Sequence, residues 1–278
     1  MTACKAKFFS FLNGVTILKL SIACIQMDIA FGNPDQNYQS AKQLIADAAE
    51  LKPDIIVLPE LWTTGYDLSR LDVIGDQDAN KTKSFLKNAA LQHGTAFVGG
   101  SVAKKTAEGI FNTLIIVDKH GEAVHEYSKL HLFQLMDEHL YLSAGNSKGL
   151  FTLENRLLSG MICYDIRFPE WIRAHTAQGA EALFVVAEWP LARLAHWRAL
   201  LISRAIENQC YVIACNRAGS DPKNAFAGHS MIIDPWGEII AEAGEDQEIL
   251  HAEIDLDEVR RVREIIPIFS DRKPEFYN

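Results

Sequence analysis

Residues 160–171 read GMICYDIRFPEW: an apolar run ends in Cys163, and Asp165, Arg167, Pro169 and Glu170 follow at once. A cysteine attacks carbon as its thiolate, and a free thiol pKa of about 8.5 leaves little thiolate at neutral pH. A nucleophilic Cys163 therefore demands a base and a donor for the oxyanion elsewhere in the chain. Two segments offer them. In VLPELWTTGYDL, Glu60 directly follows an apolar run, and a carboxylate held among apolar groups gains a raised pKa suited to taking and returning a proton. In HEYSKLHLFQLMDEHL, Lys129 stands among Tyr127, Leu130, Leu132 and Phe133. A lysine there either snorkels at the surface or is a cation fixed in a cleft. Glu138, further along the same segment, could anchor that cation or orient the base.

Each residue also has a plainer reading. Buried cysteines usually only pack, Glu60 could cap a helix or sit in a solvated turn, and Arg167 could pair with Asp165 or Glu170. Histidine is the usual base for a cysteine nucleophile, so His131 and His139 are candidates, although the sequence gives no independent reason to prefer either. His131 and His229 are expected to be packed or hydrogen-bonded. Tyr66, Phe133, Trp189 and Trp197 could line a pocket, though aromatics at such spacings are more often core.

The elements that must position these groups alternate. LKLSIACIQM reads as a strand. After it Asn33 caps a helix with Pro34 at its first position, and Ala41, Leu44, Ile45, Ala48 and Leu51 recur at helical spacing. DIIVLPE is a short buried strand broken by Pro59, NKTKSFLKNAALQHG a helix ending at Gly94, and TAFVGGSV a strand. NTLIIVDKHGEAVHEY forms a hairpin turning at His120-Gly121. RLLSGMIC is a strand, PEWIRAHTAQG a helix stopping at Gly179, and EALFVVAEW, RLAHWRALLISRAIENQ and CYVIACNRAG continue the alternation. A hairpin turning through DPWG and a last strand and helix close the chain. The pattern predicts an α/β fold of layered sheets. Cys163 falls where a strand gives way to the helix beginning near Pro169, a position that can aim backbone N–H groups at the sulfur.

The 278 residues, 48% of them hydrophobic, suffice for one large domain, and no linker divides them. The net charge of −9 opposes binding to a phosphate backbone. No segment reads as a membrane span. Five cysteines without framework spacing point to a reducing, cytoplasmic setting, and no CxxC pair suggests a metal site. Residues 1–15 read as an extension of unreadable role, with the domain at 16–278.

Taken together, LPELWTTGY, YSKLHLF and GMICYDIRFPEW resemble, in order and spacing, the glutamate, lysine and cysteine signatures of the nitrilase (carbon–nitrogen hydrolase) superfamily. The resemblance extends from Lys19 to Tyr277. It implies a single-domain α-β-β-α sandwich that pairs into a homodimer or higher homo-oligomer. It assigns Glu60 as general base, Lys129 as oxyanion stabiliser and Cys163 as nucleophile. Glu138 would position substrate and lysine, and the Tyr164 backbone N–H would be a second oxyanion donor. No metal or organic cofactor is implied. CYDIRFPE is most similar to the ω-amidase branch, which deamidates 2-oxoglutaramate and 2-oxosuccinamate through a cysteine thioester; Arg167 matches the residue that binds the substrate carboxylate there. An N-carbamoyl amino-acid hydrolase is the enzymatic alternative, although such enzymes often show Cys-Asn-Asp-Arg-Arg where this chain has Cys-Tyr-Asp-Ile-Arg. A non-catalytic binding protein on the same fold is the alternative of another class.

Overall fold

A computed structural model describes residues 19–277. The predicted N-terminal extension, and the boundary drawn at residue 16, lie outside the described residues. Two sheets carry the fold. The first holds β1 (Lys19–Gln26), β2 (Ile55–Val57), the two-residue β3 (Asp76–Gln77), β4 (Ala96–Thr106), β5 (Gly109–Val117) and β6 (Ala123–Ser128). The second holds β7 (Leu150–Leu153), β8 (Arg156–Ile162), β9 (Ala182–Ala187), β10 (Tyr211–Asn216), β11 (Met231–Ile233) and β12 (Ile239–Glu242). The last strand, β13 (Glu248–Asp255), returns to the first sheet and pairs antiparallel with β1. The strand orders are β13-β1-β2-β4-β5-β6, with β3 paired to β4, and β12-β11-β10-β9-β8-β7.

Alternation along the strands sorts side chains onto two faces. Ile22, Cys24, Ile55, Val57, Val98, Leu114 and Ile116 of the first sheet pack in one core with the second sheet. Their neighbours Ala23, Ile25, Ile56, Phe97, Ile115 and Val117 turn instead to α1 (Pro34–Ala49) and the helix that follows β3. On the far side of the second sheet, Ile172, Trp197, Leu201 and Ala205 come from the two helices after β8 and β9. The layers run helix, sheet, sheet, helix, as the resemblance implied.

Helix boundaries follow local chemistry. Asn33 accepts the Gln36 N–H at 3.2 Å with Pro34 at the first helical position. After the single turn α2 (Leu71–Ile74), α3 (Asn80–His93) ends on Gly94 in the left-handed conformation at φ +66°. Leu51, expected on the apolar face of α1, lies past its end and is exposed. The hairpin between β5 and β6 closes as expected: Asp118 N–H donates to Glu122 O, and Gly121 takes φ +80°.

The strand containing the residues before Cys163 ends at Ile162 and the next helix begins at Pro169, as expected. A 3₁₀ turn, Cys163–Arg167, intervenes between β8 and α5 (Pro169–Thr176); the single-turn α4 (Glu138–Tyr141) lies earlier. Phe168 separates turn from helix because the residue before a proline is pushed to extended backbone, here φ −105°, ψ 90°. Among the described residues, no helix is long and apolar enough to cross a membrane.

Candidate active site

Glu60 follows β2 in a turn that β4 presses upon. Ser101 N–H donates to Pro59 O at 3.1 Å and the Ser101 hydroxyl accepts the Leu61 N–H at 2.9 Å. This approach needs Gly100: it takes φ +66°, and a Cβ there would lie 2.4 Å from Pro59 O. The turn directs the Glu60 carboxylate into the interior, where it is fully buried. Four donors meet it: Lys129 Nζ at 2.8 Å, Asn112 Nδ2 at 2.8 Å and Tyr66 Oη at 3.2 Å on Oε1, and the Glu188 backbone N–H at 2.9 Å on Oε2.

Lys129 extends from the end of β6, its N–H donating to Asn112 O at 2.8 Å. One residue of β5 therefore holds the lysine backbone and, through its amide, the glutamate. The ammonium is fully buried between Glu60 and Glu138, whose Oε1 lies 2.6 Å away. Glu138 opens α4, and its other oxygen accepts the Phe133 N–H at 2.8 Å. Tyr66 Oη stands 2.5 Å from Glu138 Oε1. Burial opposes the Lys129 charge, but Glu138 and Glu60 outweigh it and hold its pKa well above the ordinary lysine range. An ammonium has three N–H bonds; with two directed at the carboxylates, one remains for another acceptor.

Cys163 is buried and takes φ +46°, the left-handed region that non-glycine residues seldom occupy. Burial, then the neighbouring Glu60 charge, pushes its thiol well above the ordinary cysteine value, while Lys129 pulls the other way. The resting sulfur thus keeps its proton, next to a carboxylate that can take it. Asp165 fixes the turn by accepting the Ile162 N–H at 3.1 Å, the Tyr127 hydroxyl at 2.7 Å and the His131 ring at 2.8 Å.

Cys163 opens into a narrow cleft lined by Phe133, Tyr164, Arg167, Glu188, Trp189 and Arg193, among others. Arg167 does not pair with Asp165 or Glu170. Its guanidinium lies 4.8 Å from the Trp189 ring centroid and 3.3 Å from His196 Nδ1. Phe133 and Trp189 are walls, whereas Trp197 packs beneath Trp189 at 5.3 Å and Tyr66 serves the carboxylates. None of the three histidines singled out from the sequence stands as base: His131 is turned to Asp165 and stacked on Phe168 at 3.7 Å, His139 is exposed, and His229 bonds Glu242 at 2.8 Å.

Sequence reading missed Asn112 and Glu188. Glu188 follows β9 and is fully buried; its Oε2 accepts from Arg217 at 2.9 Å and its Oε1 has no protein partner. Burial outweighs Arg217 and pushes the carboxyl up to about 8. Its signal was present, since an acid closes ALFVVAE as Glu60 closes DIIVLPE. Among the described residues, no group of His, Cys, Asp and Glu side chains is arranged to hold a metal ion.

A carboxylate, an ammonium and a thiol buried together at the meeting of two sheets are what the three sequence signatures implied. The sequence model of the carbon–nitrogen hydrolase family matches residues 21–264. The chain belongs to this family. Among carbon–nitrogen hydrolases it is similar to the 2-oxoglutaramate amidase of Bacillus subtilis, with 55% identity over 94% of this chain and 100% of the relative. It is 39% identical to the omega-amidase YafV of Escherichia coli K12, over 78% of this chain and 84% of that one. In three dimensions it resembles a carbon–nitrogen hydrolase superfamily protein of Xanthomonas campestris that carries an arsenic adduct in its active site. That match has a TM-score of 0.86 and 30% identity, and covers 92% of this chain and 98% of the other.

Proposed function

We propose that this carbon–nitrogen hydrolase cleaves the ω-amide of a 2-oxo dicarboxylic acid, such as 2-oxoglutaramate, to the acid and ammonia through a thioester on Cys163. The observation that carries the reading is the buried Glu60–Lys129–Glu138 cluster beside Cys163, at a cleft where Arg167 has no carboxylate partner among the described residues. Glu60 takes the thiol proton as sulfur attacks the amide carbon. The carbonyl π electrons move to oxygen, which receives the remaining Lys129 N–H and the Tyr164 backbone N–H. Tyr164 is the second residue of the 3₁₀ turn, so its N–H has no acceptor within the turn. Glu60 then gives its proton to the amide nitrogen, the C–N bond breaks and ammonia leaves. Water loses a proton to Glu60 and attacks the thioester; the C–S bond breaks and the thiol is restored. Glu138 keeps Lys129 in place. Arg167, a planar fork, suits the substrate carboxylate.

The high identity to a 2-oxoglutaramate amidase supports this substrate class over N-carbamoyl amino acids. Four described cysteines are free and buried, in keeping with work in a reducing compartment such as the cytoplasm. Assembly of two copies is part of the same reading, and exposed Ile265, Ile266, Phe276 and Tyr277 offer apolar surface for it.

The test is intact-protein mass after brief exposure to 2-oxoglutaramate, alongside ammonia release. A transient acyl adduct, absent from a folded Cys163→Ala variant that releases no ammonia, is expected. Ammonia from an N-carbamoyl amino acid but none from 2-oxoglutaramate would refute the substrate, and turnover by Cys163→Ala would refute the nucleophile.

A further inference from the structure

Arg193 is a second guanidinium at the mouth of the same cleft, on a different element from Arg167. It closes the 3₁₀ turn Leu191–Arg193 between β9 and α6 (Leu194–Asn208). Its guanidinium lies 5.4 Å from the Phe133 ring centroid, as that of Arg167 lies over Trp189. Both rings are cleft walls, so each cation is braced on an aromatic face. That contact uses the flat face of a guanidinium and leaves its edge N–H groups available, although one edge of Arg167 faces His196 Nδ1 at 3.3 Å.

Neither arginine has a carboxylate partner among the described residues. Arg70, Arg156, Arg198, Arg204, Arg217 and Arg261 reach acids within the ion-pair distance, and Arg173, Arg260, Arg263 and Arg272 do not; what sets Arg167 and Arg193 apart is that both line the cleft that holds Cys163. Half-buried and unpaired cations in a small cleft raise its affinity for an anion.

We infer that Arg193 is a substrate-binding residue that, with Arg167, grips the 2-oxo acid end of the substrate. This rests on the substrate class proposed above. A 2-oxo acid presents three acceptor oxygens on adjacent carbons and no donor. Two forks, one from each of the two elements, can share them, with one guanidinium on the carboxylate and the other reaching the oxo oxygen. The same pair discriminates against a 2-amino acid amide. Glutamine has the same chain length and carboxylate, but places an ammonium where the oxo oxygen would be, against two like charges. The clamp thus selects the oxo acid over the corresponding amino acid, whose amide group is identical.

The experiment compares wild-type protein, Arg193→Gln and Arg193→Lys on 2-oxoglutaramate and on pentanamide, which has the same chain length without the acid end. Charge-assisted hydrogen bonds of the kind lost predict that Arg193→Gln lowers the kcat/KM ratio of 2-oxoglutaramate to pentanamide by about 10- to 100-fold. The loss should fall on KM. Arg193→Lys, which keeps the charge but not the fork, is expected to fall between the two. Inhibition of pentanamide hydrolysis by 2-oxoglutarate supplies a readout independent of the ω-amide, and its inhibition constant should rise with the same ranking. An unchanged ratio and an unchanged inhibition constant in Arg193→Gln would overturn the inference. Wild-type protein that turns over pentanamide but not 2-oxoglutaramate would instead overturn the substrate class, a failure visible without any variant.

Discussion

Replacing Lys129 with methionine tests two roles of one cation. The side chain keeps its length and loses its charge, leaving Glu60 and Glu138 buried around an apolar sulfur. Glu60 retains Asn112 and the Glu188 N–H as donors, Glu138 retains the Phe133 N–H, and the two share the single Tyr66 hydroxyl proton, which lies nearer Glu138. None of these carries a full positive charge. Breaking a buried pair by removing one partner costs about 3–5 kcal/mol, a large part of a typical stability of about 5–15 kcal/mol. At about 2–4 °C per kcal/mol for chains approaching this size, Tm should drop by roughly 6–20 °C. The drop should depend on pH. Burial already raises the Glu138 carboxyl above its ordinary value, and without the ammonium that offsets this, each proton Glu138 takes up as pH falls relieves the variant more than the wild type. The Tm deficit therefore shrinks as pH falls, and adding Glu138→Gln should recover part of it. Independently, loss of an oxyanion donor should lower kcat by about 10²–10³-fold. Scanning calorimetry across pH and ammonia release provide the two readouts. A pH-independent deficit would refute the charge-balance argument, and a kcat near wild type would refute the donor.

Two further perturbations address the surroundings. Burial raises the Glu188 carboxyl from its ordinary 4.5 to about 8, so between those values the folded protein holds a proton that the unfolded chain releases. Stability from this group therefore falls as pH rises through that window; Glu188→Gln should flatten that part of the Tm–pH profile, and parallel profiles would contradict the assignment. Gly100→Ala forces a Cβ against Pro59 O at a left-handed φ. It should cost about 1–3 kcal/mol in urea denaturation and lower kcat by displacing Glu60. A variant of wild-type stability and activity would show that the close approach is not required.

What could be read from the sequence was governed by local chemistry. Asn33-Pro34, Gly94 and the turn at Gly121 announce their elements because caps and turns act through adjacent residues. The 3₁₀ turn after Cys163 was hidden, since it depends on Asp165 reaching back to the Ile162 N–H and across to Tyr127 and His131. The strand β7 was missed because four residues at a sheet edge carry too little pattern. Glu60, Lys129, Glu138 and Cys163 were singled out by type, context and resemblance to known signatures, and the fold brings them together. Asn112 gave no signal at all. It is a polar residue in the strand IFNTLIIV whose importance comes from strand register, which sets it beside Lys129 and under Glu60.

The two sheets contribute unlike parts of the site. Glu60, Asn112 and Lys129 belong to strands of the first sheet or their ends, while Cys163, Arg167, Trp189 and Arg193 follow strands of the second. On the function proposed above, proton handling is anchored in one layer, and the nucleophile with most of the recognition surface in the other. Several hydrogen bonds tie the two across the seam, among them Glu188 N–H to Glu60 Oε2 and the Tyr127 hydroxyl to Asp165. The consequence is a modular division of labour. On that reading, the loops after β8 and β9 can change to accept another acyl group without disturbing the carboxylate and ammonium held by the opposite layer.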